Sequence, residues 1–177
     1  MIPAYNFFIR PANPGDVDLL RELSVQTFTE TYHAYNTAED MLLYISKNFS
    51  SEVLCSELED AGNYFFIAML EDRAVGYIKL RTAEEPAALK GRKHIELERI
   101  YALKEFQGTG LGKLLMQQCI DTATSNGFEV VWLGVWKQNE KAFAFYKKCG
   151  FTIFGEHIFT LGTDEQSDWL MKKELVV

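Results

Sequence analysis

Apolar positions recur along this chain in two rhythms, and the switches between them mark its elements. Phe7-Phe8-Ile9-Arg10 reads as a first strand, closed by Pro11 and Pro14. Leu19, Leu20, Leu23 and Phe28 then recur on one helical face, predicting a helix from a cap at Asp16 to about Tyr32. A second helix carries Met41, Leu42, Ile45 and Phe49, and a third starts near Ser51 with Leu54 and Leu58. Strand character takes over at Asn63. Tyr64 to Leu70 is aromatic and apolar, Glu71-Asp72-Arg73 is a turn, and Ala74 to Leu80 completes a hairpin. Residues 82–93 are polar, contain Pro86 and Gly91, and read as an exposed loop.

Ile95 to Tyr101 alternates with a period of two. The next helix bears Leu111, Leu114, Leu115 and Cys119, and Gly127 ends it. Val130 to Val135 is a nearly continuous apolar run, the mark of a strand buried on both faces. Ala142, Phe143, Phe145 and Tyr146 lie on a helix that Asn139 can cap and Gly150 stops, with Lys147 and Lys148 suited to its last turn. Phe151 to Phe159 and Asp168 to Leu175 read as the last two strands. Strand–helix–strand–helix–strand in the second half requires a partly parallel sheet, and the earlier hairpin adds antiparallel strands. The predicted class is α/β (α+β). Its mixed, mostly antiparallel central sheet is flanked by helices, with one parallel pair on either side of the helix at Leu111. No repeat, low-complexity tract or linker divides the 177 residues, so a single domain over 1–177 is expected.

Composition narrows the partners. A chain of this length buries roughly 70% of its unfolded surface and needs no staple. The net charge of −7 opposes nucleic acid as a partner and favours small cations over polyanions. Cys55, Cys119 and Cys149 form no C-x-x-C pair, and His33, His94 and His157 are scattered, so no metal site is indicated. The N-terminal residues lack a signal-peptide pattern and no apolar run reaches membrane length, which points to a cytoplasmic protein with no membrane partner. Aromatic residues at the surface would serve a homodimer, and in the interior the core.

The candidate chemistry centres on Gln107-Gly108-Thr109-Gly110-Leu111-Gly112, between a predicted strand and a predicted helix. Glycines there let backbone N–H groups approach an anion, and the helix N-terminus adds partial positive charge. Leu114 after Gly112-Lys113 excludes a Walker loop. Counting from Gly108 or from Gly110 puts Lys113 or Leu115 where a dinucleotide loop needs its last glycine. A turn that binds nothing stays open for these six residues alone.

The Q-x-x-G-x-G spacing resembles the acetyl-CoA pyrophosphate loop of the GNAT family of N-acetyltransferases. A second segment strengthens the likeness. Asn139 and Ala142 to Phe151 follow N-x-x-A-x-x-F-Y-x-x-x-G-F, which resembles that family's other signature. Glu98 to Tyr101, Phe106-Gln107, Gly110 to Lys113, Trp132 to Trp136 and Gly162 to Asp168 resemble the bacterial PaiA-type polyamine acetyltransferases, and the likeness covers nearly the whole chain. It implies acetyl transfer from acetyl-CoA to a primary amine of a spermidine- or spermine-like substrate. Another amine acceptor, or a regulatory module that binds acyl-CoA without turnover, stands as the alternative.

The resemblance also implies roles. Gly108-Thr109 departs from the family's commoner basic residue, which leaves Lys113 and the N–H groups of Gly108 to Gly112 to hold the diphosphate. Ile100, Tyr101 and Ala102 would bond the pantetheine arm, as in strand addition. Asn139 would touch that arm or simply cap its helix. Tyr146 matches the family's general acid. An amine titrating near ~10.4 must shed a proton before it attacks. Glu98 matches a base position of polyamine-type members, and Glu96, two residues earlier on the strand, is the alternative. Glu30, Tyr32, Tyr35, Glu39 and Asp40, at the first helix–helix junction, would suit a polycation or merely end a helix in solvent.

Overall fold

The computed structural model describes residues 5–82 and 86–176. Strand β1 (Phe7–Pro11) leads into a 3₁₀ turn and helix α1 (Val17–Tyr32), followed by α2 (Ala38–Asn48) and α3 (Ser51–Glu59). The hairpin β2 (Asn63–Leu70) and β3 (Arg73–Arg81) precedes β4 (His94–Ala102), α4 (Leu111–Ser125) and β5 (Val130–Trp136). Helix α5 (Glu140–Lys148) and the hairpin β6 (Thr152–Leu161) and β7 (Asp164–Glu174) complete the chain. Among the described residues, seven strands form one sheet in the order β1-β2-β3-β4-β5-β7-β6, antiparallel except for β4 with β5. Among the described residues, no helix is long and apolar enough to cross a membrane.

The apolar rhythm explains the layers. Leu111, Leu115, Met116, Cys119 and Ala123 recur at helical spacing on α4 and are buried against one face of the sheet with Val131, Leu133, Val135 and Met171. Leu20, Leu23 and Leu54 from α1 and α3 belong to the same continuous core. A fully buried leucine contributes roughly 1.5–3 kcal/mol, so these rows set which face each helix turns inward.

Four expectations change. The stretch 82–93, of which 83–85 lie outside the described residues, is not an exposed loop throughout, because Leu89 is buried in a 3₁₀ turn against Val130 and Trp132. Asp16 does not cap α1; its carboxylate accepts bonds from Arg10 Nη1 and Nη2 at 2.8 and 2.7 Å and from the Asn13 N–H at 2.9 Å. Strand β7 begins at Asp164 rather than Asp168, because Gly162-Thr163 closes a long hairpin with β6. The alternation of β4 is broken by a bulge. Lys79 pairs with Arg99 and Leu80 with Leu97, so Glu98 is the extra residue, and Glu96 and Arg99, three apart, turn to one face.

Candidate active site

The parallel pairing of β4 with β5 stops early. Only His94–Val130, Ile95–Val131 and Glu96–Trp132 are in register. Beyond them β4 follows β3 as far as Ala102, while β5 follows β7 as far as Trp136. The strands therefore part, and residues 97–102 turn an unpaired backbone edge into a cleft. Peptide groups on such an edge need partners, and an extended chain of amides supplies them.

The glycine loop stands at the end of that cleft. Gly108 and Gly110 have φ of +81° and +97°, and a Cβ on either would point into open space. No side chain caps α4, whose first N–H groups have no partner within the helix. The loop is otherwise self-contained. Thr109 Oγ1 donates to Phe106 O at 2.6 Å, and Gln107 Nε2 donates to Ala102 O at 3.3 Å while its Oε1 accepts from Lys141 Nζ at 2.7 Å. Lys113 is exposed in the first turn of α4. Phe145 lies 3.5 Å from where a Cβ of Gly112 would sit, which docks α5 on the start of α4. These features fit the diphosphate and pantetheine of a coenzyme A thioester.

Tyr146 is buried on α5 between Phe145 and Phe151, with ring centroids at 5.5 and 6.1 Å. Burial first, then the neighbouring Tyr32, pushes its phenol well above the ordinary value, so it holds its proton at neutral pH. Asn139 Oδ1 accepts from Ala142 N at 3.1 Å and serves as the α5 cap.

Glu98 and Glu96 are not bare carboxylates. Lys79 Nζ lies 2.6 Å from Glu57 and 2.5 Å from Glu98; Arg81 lies 2.5 Å from Glu96 and 3.0 Å from Glu98; Arg99 forks onto Glu57 at 2.8 and 3.0 Å. Among the described residues, three cations thus meet three carboxylates. Burial pushes the Glu98 carboxyl up, but Arg99, Lys79 and Arg81 together outweigh it and hold it below the usual range. The charges cluster because the β4 bulge turns Glu96, Glu98 and Arg99 toward Lys79 and Arg81 on β3 and Glu57 on α3.

The comparisons decide the family. Residues 18–151 match the acetyltransferase (GNAT) family. This chain is a GNAT acetyltransferase. It is 37% identical to an N-acetyltransferase of Lactobacillus delbrueckii subsp. lactis over 87% of this chain and 89% of that one. It is 25% identical to a spermidine N(1)-acetyltransferase of Thermoplasma acidophilum over 94% of this chain and 96% of the other. The fold matches the crystal structure of the PaiA N-acetyltransferase of the same organism in complex with coenzyme A. There the TM-score is 0.80 at 24% identity, covering 96% and 99% of the two chains. This GNAT chain is accordingly an acetyl-CoA-dependent N-acetyltransferase.

In this GNAT enzyme the residues singled out in the sequence fall into three groups. Ile100, Tyr101 and Ala102 lie on the unpaired edge of β4, and Gln107 to Lys113 lead from the end of that strand into the first turn of α4. Tyr146 lies on α5 and Asn139 caps it, and that helix meets the start of α4 where Phe145 packs on Gly112. Glu96 and Glu98 lie inside the ion cluster. Of the suggested acceptor residues, Asp40 Oδ1 is taken by Thr163 N and Oγ1 at 2.7 and 2.9 Å, and Glu30 Oε2 accepts from Lys104 N at 2.8 Å. Tyr32 and Tyr35 pack on Trp136, with centroids at 6.0 and 5.1 Å. Sequence reasoning gave no role to Arg99 or to Asp168. Asp168 is one of several polar residues of Asp164–Glu174, and nothing local in the sequence sets it apart.

Proposed function

We propose that this enzyme moves the acetyl group of acetyl-CoA to a primary amine of a small polyamine, of spermidine or spermine type. The observation that carries the reading is the parting of β4 from β5 beyond Glu96 and Trp132, beside an uncapped helix with two open glycines. Bound there, the thioester supplies an electrophilic acetyl group. The free edge of β4 orients its arm, and the N–H groups of residues 108–113 hold its diphosphate. Tyr146, kept protonated by burial, gives its proton to the departing sulfur. Glu57, Glu96 and Glu98 balance Lys79, Arg81 and Arg99 and fix the bulge that turns β4 away from β5.

The acceptor end supports a cationic amine. A hollow of about 400 Å³ joins the aromatic faces of Tyr35 and Trp136 to the carboxylates of Asp164 and Glu165; Lys137 also lines it, paired with Glu156. Similarity to the spermidine acetyltransferase points the same way. Thiol release should be followed over a panel of polyamines, amino acids, peptide N-termini and aminoglycosides, with product masses. Spermidine or spermine should head the panel in kcat/KM. Turnover confined to peptides or aminoglycosides would refute the polyamine assignment.

A further inference from the structure

The carboxylates of the ion cluster are matched by cations, but Asp168 is not. It stands on β7 opposite Trp136 of β5 and His157 of β6, only 7% exposed. Its Oδ1 is buried without a hydrogen-bond partner, and among the described residues no lysine or arginine pairs with it. A buried carboxylate left incomplete is costly, and folds retain such groups where a ligand completes them. Its surroundings come from four elements: His157 on β6, Gln166 on its own strand, Gly134 and Trp136 on β5, and Tyr32 on α1.

The space beside Asp168 exists because β5 carries a glycine. Gly134 is the exposed residue in an otherwise buried strand. A Cβ built on it would lie 3.4 Å from Asp168 Oδ2 and 3.4 Å from His157 Cε1. Gly134 comes two residues after Trp132, where β4 departs, so this slot opens at the cleft. Trp132 is on the same face of β5, and its Nε1 is likewise buried without a partner. Tyr32 ties the slot to the acid: Asp168 is among the groups raising the Tyr32 phenol, and Tyr32 is among those raising Tyr146.

We infer that the slot over Gly134 seats the reacting amine and that Asp168 takes its proton. The inference rests on the acetyl-transfer reading. One N–H bond of the ammonium breaks, the proton goes to the Asp168 carboxylate, and the electron pair stays on nitrogen. That pair forms the bond to the thioester carbonyl carbon, and the C–S bond breaks with its pair on sulfur. Tyr146 protonates the sulfur and is reprotonated by the second proton leaving nitrogen. Asp168 passes its proton to water, so one amide, one thiol and one proton result. Burial holds the Asp168 carboxyl up at about 6, near the ideal for a base working at neutral pH.

The test compares pH profiles of kcat/KM for spermidine in the wild type, Asp168→Asn and Glu98→Gln. The wild type should lose activity below about pH 6, the limb set by Asp168. Asp168→Asn should be about 100-fold slower at pH 7. It should also lack that limb, rising with hydroxide instead, while its KM for acetyl-CoA is unchanged. Calorimetric binding of spermidine to the protein without acetyl-CoA should weaken at least tenfold. Unfolding is a separate matter with a known sign. A carboxyl raised on folding weakens the fold as pH rises through about 6, so Asp168→Asn should melt no lower than the wild type at pH 8. Gly134→Ala should raise KM for spermidine alone. An acid limb that survives in Asp168→Asn, or disappears in Glu98→Gln, overturns the inference while leaving acetyl transfer intact. A wild type that acetylates no amine overturns both.

Discussion

Tyr146→Phe should lower kcat by 10²–10³-fold while leaving KM for acetyl-CoA within about twofold. The range follows from the usual worth of a positioned proton donor. The substitution deletes one oxygen and keeps the ring that packs between Phe145 and Phe151, so α5 should hold its place on α4. The effect should depend on the leaving group. A thioester of a more acidic thiol needs less help from a proton and should recover part of the lost rate. Steady-state kinetics with two acyl donors separate the possibilities, and equal losses with both donors would remove Tyr146 as the acid. The proton is available over the whole neutral range, because burial raises the phenol far above it.

Glu57→Ala should destabilise the fold by about 3–5 kcal/mol, the usual cost of stripping one partner from a buried charge cluster. Glu57 joins α3 to the sheet by accepting from Lys79 on β3 and a two-pronged pair from Arg99 on β4. The side chains of Lys79 and Arg99 are only 3% and 7% exposed, so water does little to replace it. Phe65 under Lys79 and Phe49 under Arg99 confirm how far both cations lie from solvent. Urea unfolding followed by tryptophan fluorescence measures the loss; a value under about 1 kcal/mol would mean that Glu98 and Glu96 carry the cluster alone. The Glu98 share has its own pH sense. Its carboxyl is held below the usual carboxylate range in the fold, so its stabilisation is present above the unfolded value and lost as pH falls through the folded one.

Much of the fold was legible because the apolar spacing is regular. Helices α1 to α5, the β2–β3 hairpin and the buried β5 follow from period and punctuation, and the glycine loop lies between β4 and α4 with Tyr146 on α5. What stayed hidden depends on partners distant in sequence. The β4 bulge breaks a clean alternation only because β3 lies alongside, and it turns Glu96, Glu98 and Arg99 to one side. Nothing near Glu98 announces that Lys79, nineteen residues earlier, will sit 2.5 Å away. Asp40 reads locally as a helix-start acid, yet it holds the β6–β7 turn 123 residues on. Asp168 reads as one more polar residue of a hairpin until the fold sets its Oδ2 beside Gly134, diagonal to it on β5.

The gap between β4 and β5 has a consequence for the life of the molecule. Six residues of a central strand, 97–102, lack a neighbour on one side, so the middle of the sheet is less tied together than its rim. A ligand filling the gap acts as an eighth strand and adds to the fold by mass action, about 2.7 kcal/mol at a hundredfold excess over its dissociation constant. Starvation for activated acetyl groups would then do more than idle the enzyme. It would leave the chain easier to open and quicker to be degraded, coupling its abundance to its fuel.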